Sequence, residues 1–247
     1  MNYFRKDLKV LRSMTNISIY NPEYVREIVS QLRNKYSSVN RSDFVIGSVI
    51  NKPLFDFIIA VILSQNTSDR NAIKAYNNLV KLFGSPLDPV KLLESESSVI
   101  INAIKPAGMY SKRYRWITDL AKLFVNKDFV ENLVEYVKNN DVDDSRRKLL
   151  ELPGIGYKTA DVILLIYFNK PSFPVDTHIM RITKRLTSLR SLEYEDVRMF
   201  WMNNLEPSEY FEVHILLITH GREICRAKKP LCEKCVINKK CRYYSKM

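Results

Sequence analysis

Apolar residues recur along this chain at the spacing of helices. Val25, Ile28, Val29 and Leu32 share one face of a stretch opened by Asn21-Pro22, a capping residue followed by a proline suited to the first helical position. From Phe55 to Leu63 nearly every residue is apolar, as expected of a helix buried on all sides. Tyr76, Leu79, Val80 and Phe83 make another stripe, stopped by Gly84 and Pro86. Ile117, Leu120, Ala121 and Phe124 make a third, and Val175, Ile179, Ile182 and Leu186 a fourth. A last helix is expected to open at Pro207 and to run through Phe211, Ile215 and Leu216 to about His220-Gly221. No stretch alternates with period two, so the expected fold is all-α. Residues 1–20 read as an additional N-terminal arm or helix.

Between two helical stretches lies Leu152-Pro153-Gly154-Ile155-Gly156-Tyr157-Lys158-Thr159-Ala160. Asp144 or Ser145 is expected to cap the first stretch, which runs through Leu149 and Leu150, and the second should span about Tyr157 to Phe168. Two glycines in so short a link allow a tight turn with positive φ and a close approach of backbone to a ligand. The first N–H groups of the second helix have no internal partners and sit at the positive end of its dipole, where a phosphate oxygen fits. Leu152, Gly154 and Gly156 thus mark a helix-hairpin-helix, a sequence-independent grip on a DNA backbone. A glycine-stabilised turn between packed helices is the plainer reading, and the full string in a basic chain weighs against it. A nucleotide-binding loop is excluded, because no strand precedes the glycines and their spacing is wrong.

Charge supports a polyanionic partner. The 247 residues carry a net charge of +12, which points first to nucleic acid and second to an anionic membrane surface. Hydrophobic residues make up 46% and charged residues 27%, the balance of a folded soluble protein. No apolar run approaches the roughly 18 residues that span a bilayer, so no membrane partner is expected. Met1-Asn-Tyr-Phe-Arg-Lys-Asp lacks a signal-peptide core, and a cytoplasmic, nucleoid-associated location follows.

The four cysteines, Cys225, Cys232, Cys235 and Cys241, follow the pattern C-x6-C-x2-C-x5-C. Clustered thiols in a reducing compartment favour metal over disulfides. Zinc and a 4Fe-4S cluster both accept four thiolates, and the spacing leaves both open, although only one C-x2-C knuckle of the kind zinc favours is present. Arg226, Lys228 and Lys229 lie between the first two cysteines, where a metal-braced loop would present them to phosphates. His178, His214 and His220 read as packing or polar contacts rather than as further ligands.

Lys158 falls in the first turn of the second hairpin helix, where its charge opposes the dipole, so it is a poor structural choice; a phosphate contact is the plain alternative. Pro174-Val175-Asp176-Thr177-His178 follows, with Asp176 placed to cap the next helix. The hairpin, the V-D-T-H string and the cysteine tail, in this order, resemble the endonuclease III family of DNA glycosylases from about Pro22 to Tyr244.

The resemblance implies two helical domains flanking a DNA-binding cleft. Residues 48–170 would form a six-helix barrel containing the hairpin. Residues 21–47 with 171–247 would form an iron-sulfur domain, its 4Fe-4S cluster held by the four cysteines in a structural role. Lys158 matches the lysine nucleophile of bifunctional members and Asp176 the family's essential aspartate, whereas monofunctional relatives often carry Ser or Tyr at the lysine position. Leu63-Ser64-Gln65-Asn66 corresponds to a loop that pushes a polar wedge into the gap left by a flipped nucleotide. It departs from the family's L-S-A-Q: Asn66 aligns with the glutamine of endonuclease III and Gln65 with that of adenine-removing relatives, and capping of the helix is the alternative for both. Ala107-Gly108-Met109-Tyr110 resembles a second wedge loop with Met109 as its apolar plug, a core methionine being the alternative.

The expected chemistry follows. Base excision leaves C1′ of the sugar electron-poor, a neutral amine attacks it, and the resulting Schiff base permits β-elimination of the 3′ phosphate. A free lysine has a pKa of about 10.4, so roughly one in a few thousand is neutral at pH 7, and a basic, desolvated pocket would raise that fraction. Asp176 could accept the proton or stabilise an oxocarbenium-like transition state. The target nucleotide must first leave the stack. The expected protein is a monomeric glycosylase and abasic-site lyase acting on double-stranded DNA with an oxidised pyrimidine, such as thymine glycol, or an abasic site. A glycosylase for mispaired thymine, uracil or adenine is the enzymatic alternative, and a DNA-structure-binding module the non-enzymatic one.

Overall fold

The computed structural model describes residues 22–38, 45–189 and 191–247. The expected arm at residues 1–20 lies outside them. Every regular element among the described residues is helical. The chain divides into two compact units, Asn40–Lys170 and a second made of Met1–Val39 with Pro171–Met247. Among the described residues no helix is long and apolar enough to cross a membrane.

In the second unit, α1 (Pro22–Lys35) buries Val25, Ile28, Val29 and Leu32, the stripe expected of it. Arg33, in its last turn, donates to Glu209 at 2.9 Å and to Glu212 at 2.6 and 3.0 Å.

The Asn40–Lys170 unit is built around α2 (Leu54–Ser64), whose residues Leu54 to Leu63 are all buried. One of them is Asp56, which accepts the Tyr76 hydroxyl at 2.7 Å and the Leu87 N–H at 3.1 and 3.2 Å. A carboxylate survives there because its oxygens are met by donors. Burial and this bond push the Tyr76 phenol well above its ordinary pKa.

Around α2 lie α3 (Asp69–Phe83), α4 (Pro89–Glu94), α5 (Ser97–Ile104), α6 (Tyr110–Phe124), α7 (Lys127–Asn139) and α8 (Val142–Leu150). Each start has a local cause where a side chain caps it: Ser68 for α3, Asp88 for α4 and Asn126 for α7 accept N–H groups of the first turn. The Gly84 stop expected for α3 is present, with φ +92°. The cap of α8 is Asp141, which accepts the Asp144 N–H at 2.7 Å. The expected caps, Asp144 and Ser145, lie inside the helix, and the Ser145 hydroxyl donates instead to the Val137 carbonyl at 3.0 Å. The unit closes with α9 (Tyr157–Val162), which continues as a π-helical turn over Ile163–Tyr167.

The rest of the second unit is α10 (Thr177–Thr187), α11 (Tyr194–Met202) and α12 (Tyr210–Glu223). The expected start at Pro207 is a 3₁₀ turn, Pro207–Glu209, that leads into α12. Trp201 is fully buried, stacks on Phe173 and donates its indole N–H to Thr183 at 2.9 Å, so its polar edge is satisfied.

Candidate active site and metal centre

The hairpin is closed from within by charge. Arg146 on α8 meets Asp161 on α9, Nε 3.0 Å from Oδ1 and Nη2 donating to Oδ2 at 3.2 Å. The same guanidinium lies 4.9 Å from the centre of the Tyr157 ring. Of the two glycines, only Gly154 has positive φ, +78°. A Cβ there would fall 2.8 Å from Trp116, so the indole packs against the bare backbone. Gly156 departs from the expectation: its φ is −106°, extended backbone, and it caps α9 with nothing within 4 Å of a built Cβ. Its usefulness is open space, not conformation. The Leu152 side chain is buried and its N–H donates to the Leu149 carbonyl at 3.1 Å, so this residue packs the hairpin and offers no donor to a phosphate. Lys158 is half-buried in the first turn of α9.

Two loops approach this hairpin's unit from its own helices. Gln65, the C-cap of α2, donates its side-chain amide to the Gly154 carbonyl at 3.0 Å and to the Thr159 hydroxyl at 3.1 Å. Asn66 beside it is exposed, in the left-handed region with φ +52°. Met109 precedes α6 with φ +46° and is 44% exposed, so it is not a core methionine. Buried Arg113 donates to carbonyls of both loops: Nε to Ile62 at 3.2 Å, Nη2 to Gln65, and Nη1 to Ala107 and Gly108.

In the other unit, Asp176 caps α10, its carboxylate accepting the Ile179 N–H at 2.8 Å. The segment leading to it is fixed on both sides. The Pro174 carbonyl is 3.0 Å from Nδ1 of His214, and the Val175 N–H donates to the Tyr194 hydroxyl at 3.2 Å. Gly221 lets α12 close on α10, since a Cβ there would fall 2.6 Å from His178.

The four cysteines line one small open pocket with Arg185 and Tyr243. Among the described residues no three Cys, His, Asp or Glu side chains are arranged to hold a single metal ion. Burial raises the Cys232 thiol and pushes Cys235 up to about 11, so a bound metal's positive charge is what would keep both deprotonated. Arg185 donates to the Cys225 sulfur at 3.2 Å and to the Arg226 and Ala227 carbonyls at 2.8 and 3.2 Å. His220 Nε2 is 3.4 Å from the Cys235 sulfur, and its Nδ1 is 3.1 Å from the Tyr36 hydroxyl, a polar role as expected. Arg226, Lys228 and Lys229 are all exposed on this braced loop. The donor set is consistent with a 4Fe-4S cluster.

Sequence reasoning missed Arg113, Arg146 with Asp161, Thr159, Trp116 and Arg185. One signal was there for Arg113: helical spacing puts it on the apolar face of Ile117, Leu120 and Phe124.

An all-helical fold with a glycine hairpin, a capping aspartate after a Val and a four-thiol tail defines a class of DNA-repair enzyme. Residues 59–207 match the HhH-GPD superfamily of base excision DNA repair proteins, and the chain belongs to that superfamily. It is a DNA glycosylase-family enzyme of the endonuclease III type. It is 33% identical to endonuclease III of Sulfolobus acidocaldarius over 227 residues, 90% of this chain and 97% of that one. A trapped endonuclease III–DNA covalent intermediate matches it with a TM-score of 0.74 at 25% identity, over 92% of this chain and 98% of the other. A thermostable thymine-DNA glycosylase shares the fold, with a TM-score of 0.71 at 23% identity over 91% and 98%.

Proposed function

We propose that this glycosylase is bifunctional, removing oxidised pyrimidines from duplex DNA and cutting the abasic strand by β-elimination. The observation that carries the reading is Lys158 in the first turn of the second hairpin helix, in a chain whose structural relative was trapped covalently on DNA. Lys158 supplies the amine that attacks C1′, and Asp176 the carboxylate that stabilises charge on the sugar or takes a proton. The main chain at Gly154 and Gly156 receives the DNA backbone at the hairpin, with Leu152 packed beneath it, and Arg226, Lys228 and Lys229 add phosphate contacts. Asn66 and Met109, exposed at two loop tips, fill the gap in the duplex. Gln65 is occupied with Gly154 and Thr159, which supports Asn66 as the polar wedge.

A 4Fe-4S cluster bound by Cys225, Cys232, Cys235 and Cys241 would supply four metal–thiolate bonds that fix the tail. All four cysteines line one pocket in a chain of the endonuclease III type, and this supports the cluster reading.

Borohydride trapping tests the reaction. The wild-type protein should form a covalent adduct with abasic duplex, and Lys158→Ala should form none. The absence of a wild-type adduct at any pH would sink the lyase reading. Duplexes that each carry one lesion or one mismatch decide the substrate: preferred release of thymine glycol supports the proposal, and preferred release of mispaired thymine, uracil or adenine overturns it.

A further inference from the structure

The Arg113 guanidinium has no exposed surface, and the four acceptors it meets are all main-chain carbonyls. Two of these, Ile62 and Gln65, belong to the end of α2, and two, Ala107 and Gly108, to the end of the 3₁₀ turn Lys105–Ala107. Helix C-termini leave carbonyls without internal partners at the negative pole of the dipole, so a cation is stabilised there without a carboxylate. Burial pulls the guanidinium pKa down, yet arginine starts so high that it stays charged at any physiological pH.

The position of two of these bonds is informative. The Gln65 carbonyl belongs to the peptide plane that leads into Asn66, and the Gly108 carbonyl to the plane that leads into Met109. Rotation of such a plane changes the φ of the residue that follows. A donor that holds the carbonyl therefore holds that φ. Both following residues are non-glycine and left-handed, at +52° and +46°. That conformation is strained for a methionine, while asparagine enters it more readily. It persists where surroundings over-determine it, and such residues gather at functional sites. One planar fork with several fixed donors can hold two separate planes at once, which a lysine cannot.

We propose that Arg113 is a positioning residue that locks the Asn66 and Met109 tips into one rigid unit and thereby sets how readily a nucleotide is drawn out of paired duplex. The inference rests on the reading of those two side chains as the wedges. The bonds already made in the free protein mean that the tips need no ordering when DNA arrives, so less of the binding energy is lost to entropy.

The test compares one lesion in two settings, within a paired duplex and within a short unpaired bubble flanked by the same duplex. In the bubble the cost of unstacking is already met. Single-turnover excision from the paired duplex should fall on the order of 100-fold in Arg113→Met, with Arg113→Lys between it and wild type, while the bubble rate changes far less. Equal losses in both settings would mean that Arg113 only supports the fold, and would overturn the proposal. Asn66→Ala and Met109→Ala, measured alongside, separate the two levels of argument. If neither lowers the paired-to-bubble ratio, the wedge reading fails. If they lower it and the Arg113 variants do not, the clamp alone fails. In combination with Arg113→Lys, Met109→Ala should cost less than the two single losses multiplied together. Should both Arg113 variants fail to fold, hydrogen exchange on the wild-type protein decides: a protected Arg113 Nε proton is expected, and exchange as fast as in an exposed arginine overturns the clamp.

Discussion

Arg146 and Asp161 face each other across the inside of the hairpin, with Nε 3.0 Å from Oδ1 and side chains 9% and 0% exposed. The pair joins α8 to α9 and sets the spacing that the Gly154 turn must bridge. Loss of either partner would take the ion pair from the other's buried charge, which costs about 3–5 kcal/mol, whereas apolar replacement of both is far milder. Urea unfolding should therefore show Arg146→Met and Asp161→Leu each strongly destabilised and the double variant restored in large part. Single variants with unchanged midpoints would show that the helices are held by packing instead.

The two hairpin glycines should respond differently to the same change. Gly154→Ala places a Cβ 2.8 Å from Trp116 at φ +78°, and a loss of about 1–3 kcal/mol is expected. Gly156→Ala meets nothing within 4 Å and strains no torsion. It should stay within about 1 kcal/mol of wild type. If a phosphate sits against that bare backbone, its affinity for DNA should nonetheless fall roughly tenfold, or about 1.4 kcal/mol, at every sequence tested. Calorimetry and a salt-controlled binding titration measure the two effects. Undiminished affinity in Gly156→Ala would remove the hairpin from the interface.

These contrasts mark where the sequence was legible. The helices at Val25–Leu32, Phe55–Leu63 and Ile117–Phe124 were readable because a buried face repeats locally, every three or four residues. The hairpin was readable as a string, but the separate jobs of its glycines were not, since φ depends on what packs nearby. The engagement of Gln65 could not be read at all: its partners, Gly154 and Thr159, lie 89 and 94 residues away in the chain. The same holds for Arg113, whose Ile62 acceptor is 51 residues away. The π turn at Ile163–Tyr167 left no trace in an apolar run that suits an α-helix equally well.

If the four thiols hold the proposed cluster, its removal should act first on the tail. Freshly purified protein should show a broad visible absorption, with iron and acid-labile sulfide in equal amounts and no zinc. Cys225→Ser or chelation after oxidation should abolish that band and expose the loop of Arg226, Lys228 and Lys229 to proteolysis, because hydrogen bonds such as those from Arg181 and Arg185 would then hold it without the metal. The Asn40–Lys170 unit, which contains none of the four cysteines, should resist protease longer. Zinc in place of iron would overturn the cluster assignment and leave the bracing role intact.

Asp176 caps a helix and is proposed to act in catalysis, and one substitution can separate the two. As a cap it accepts the Ile179 N–H at 2.8 Å, and asparagine caps a helix about as well as aspartate does. Asp176→Asn should therefore keep its unfolding midpoint, with a change below about 0.5 kcal/mol. Alanine offers no acceptor, so Asp176→Ala should lose about 1 kcal/mol. Catalysis should sort the variants otherwise. Charge that develops on the sugar is stabilised by a carboxylate and not by a neutral amide, and loss of such a group costs on the order of 100-fold or more in rate. Both variants should thus be slow in single-turnover base release, although only one is less stable. An Asp176→Asn protein that released bases at the wild-type rate would reduce this residue to its cap.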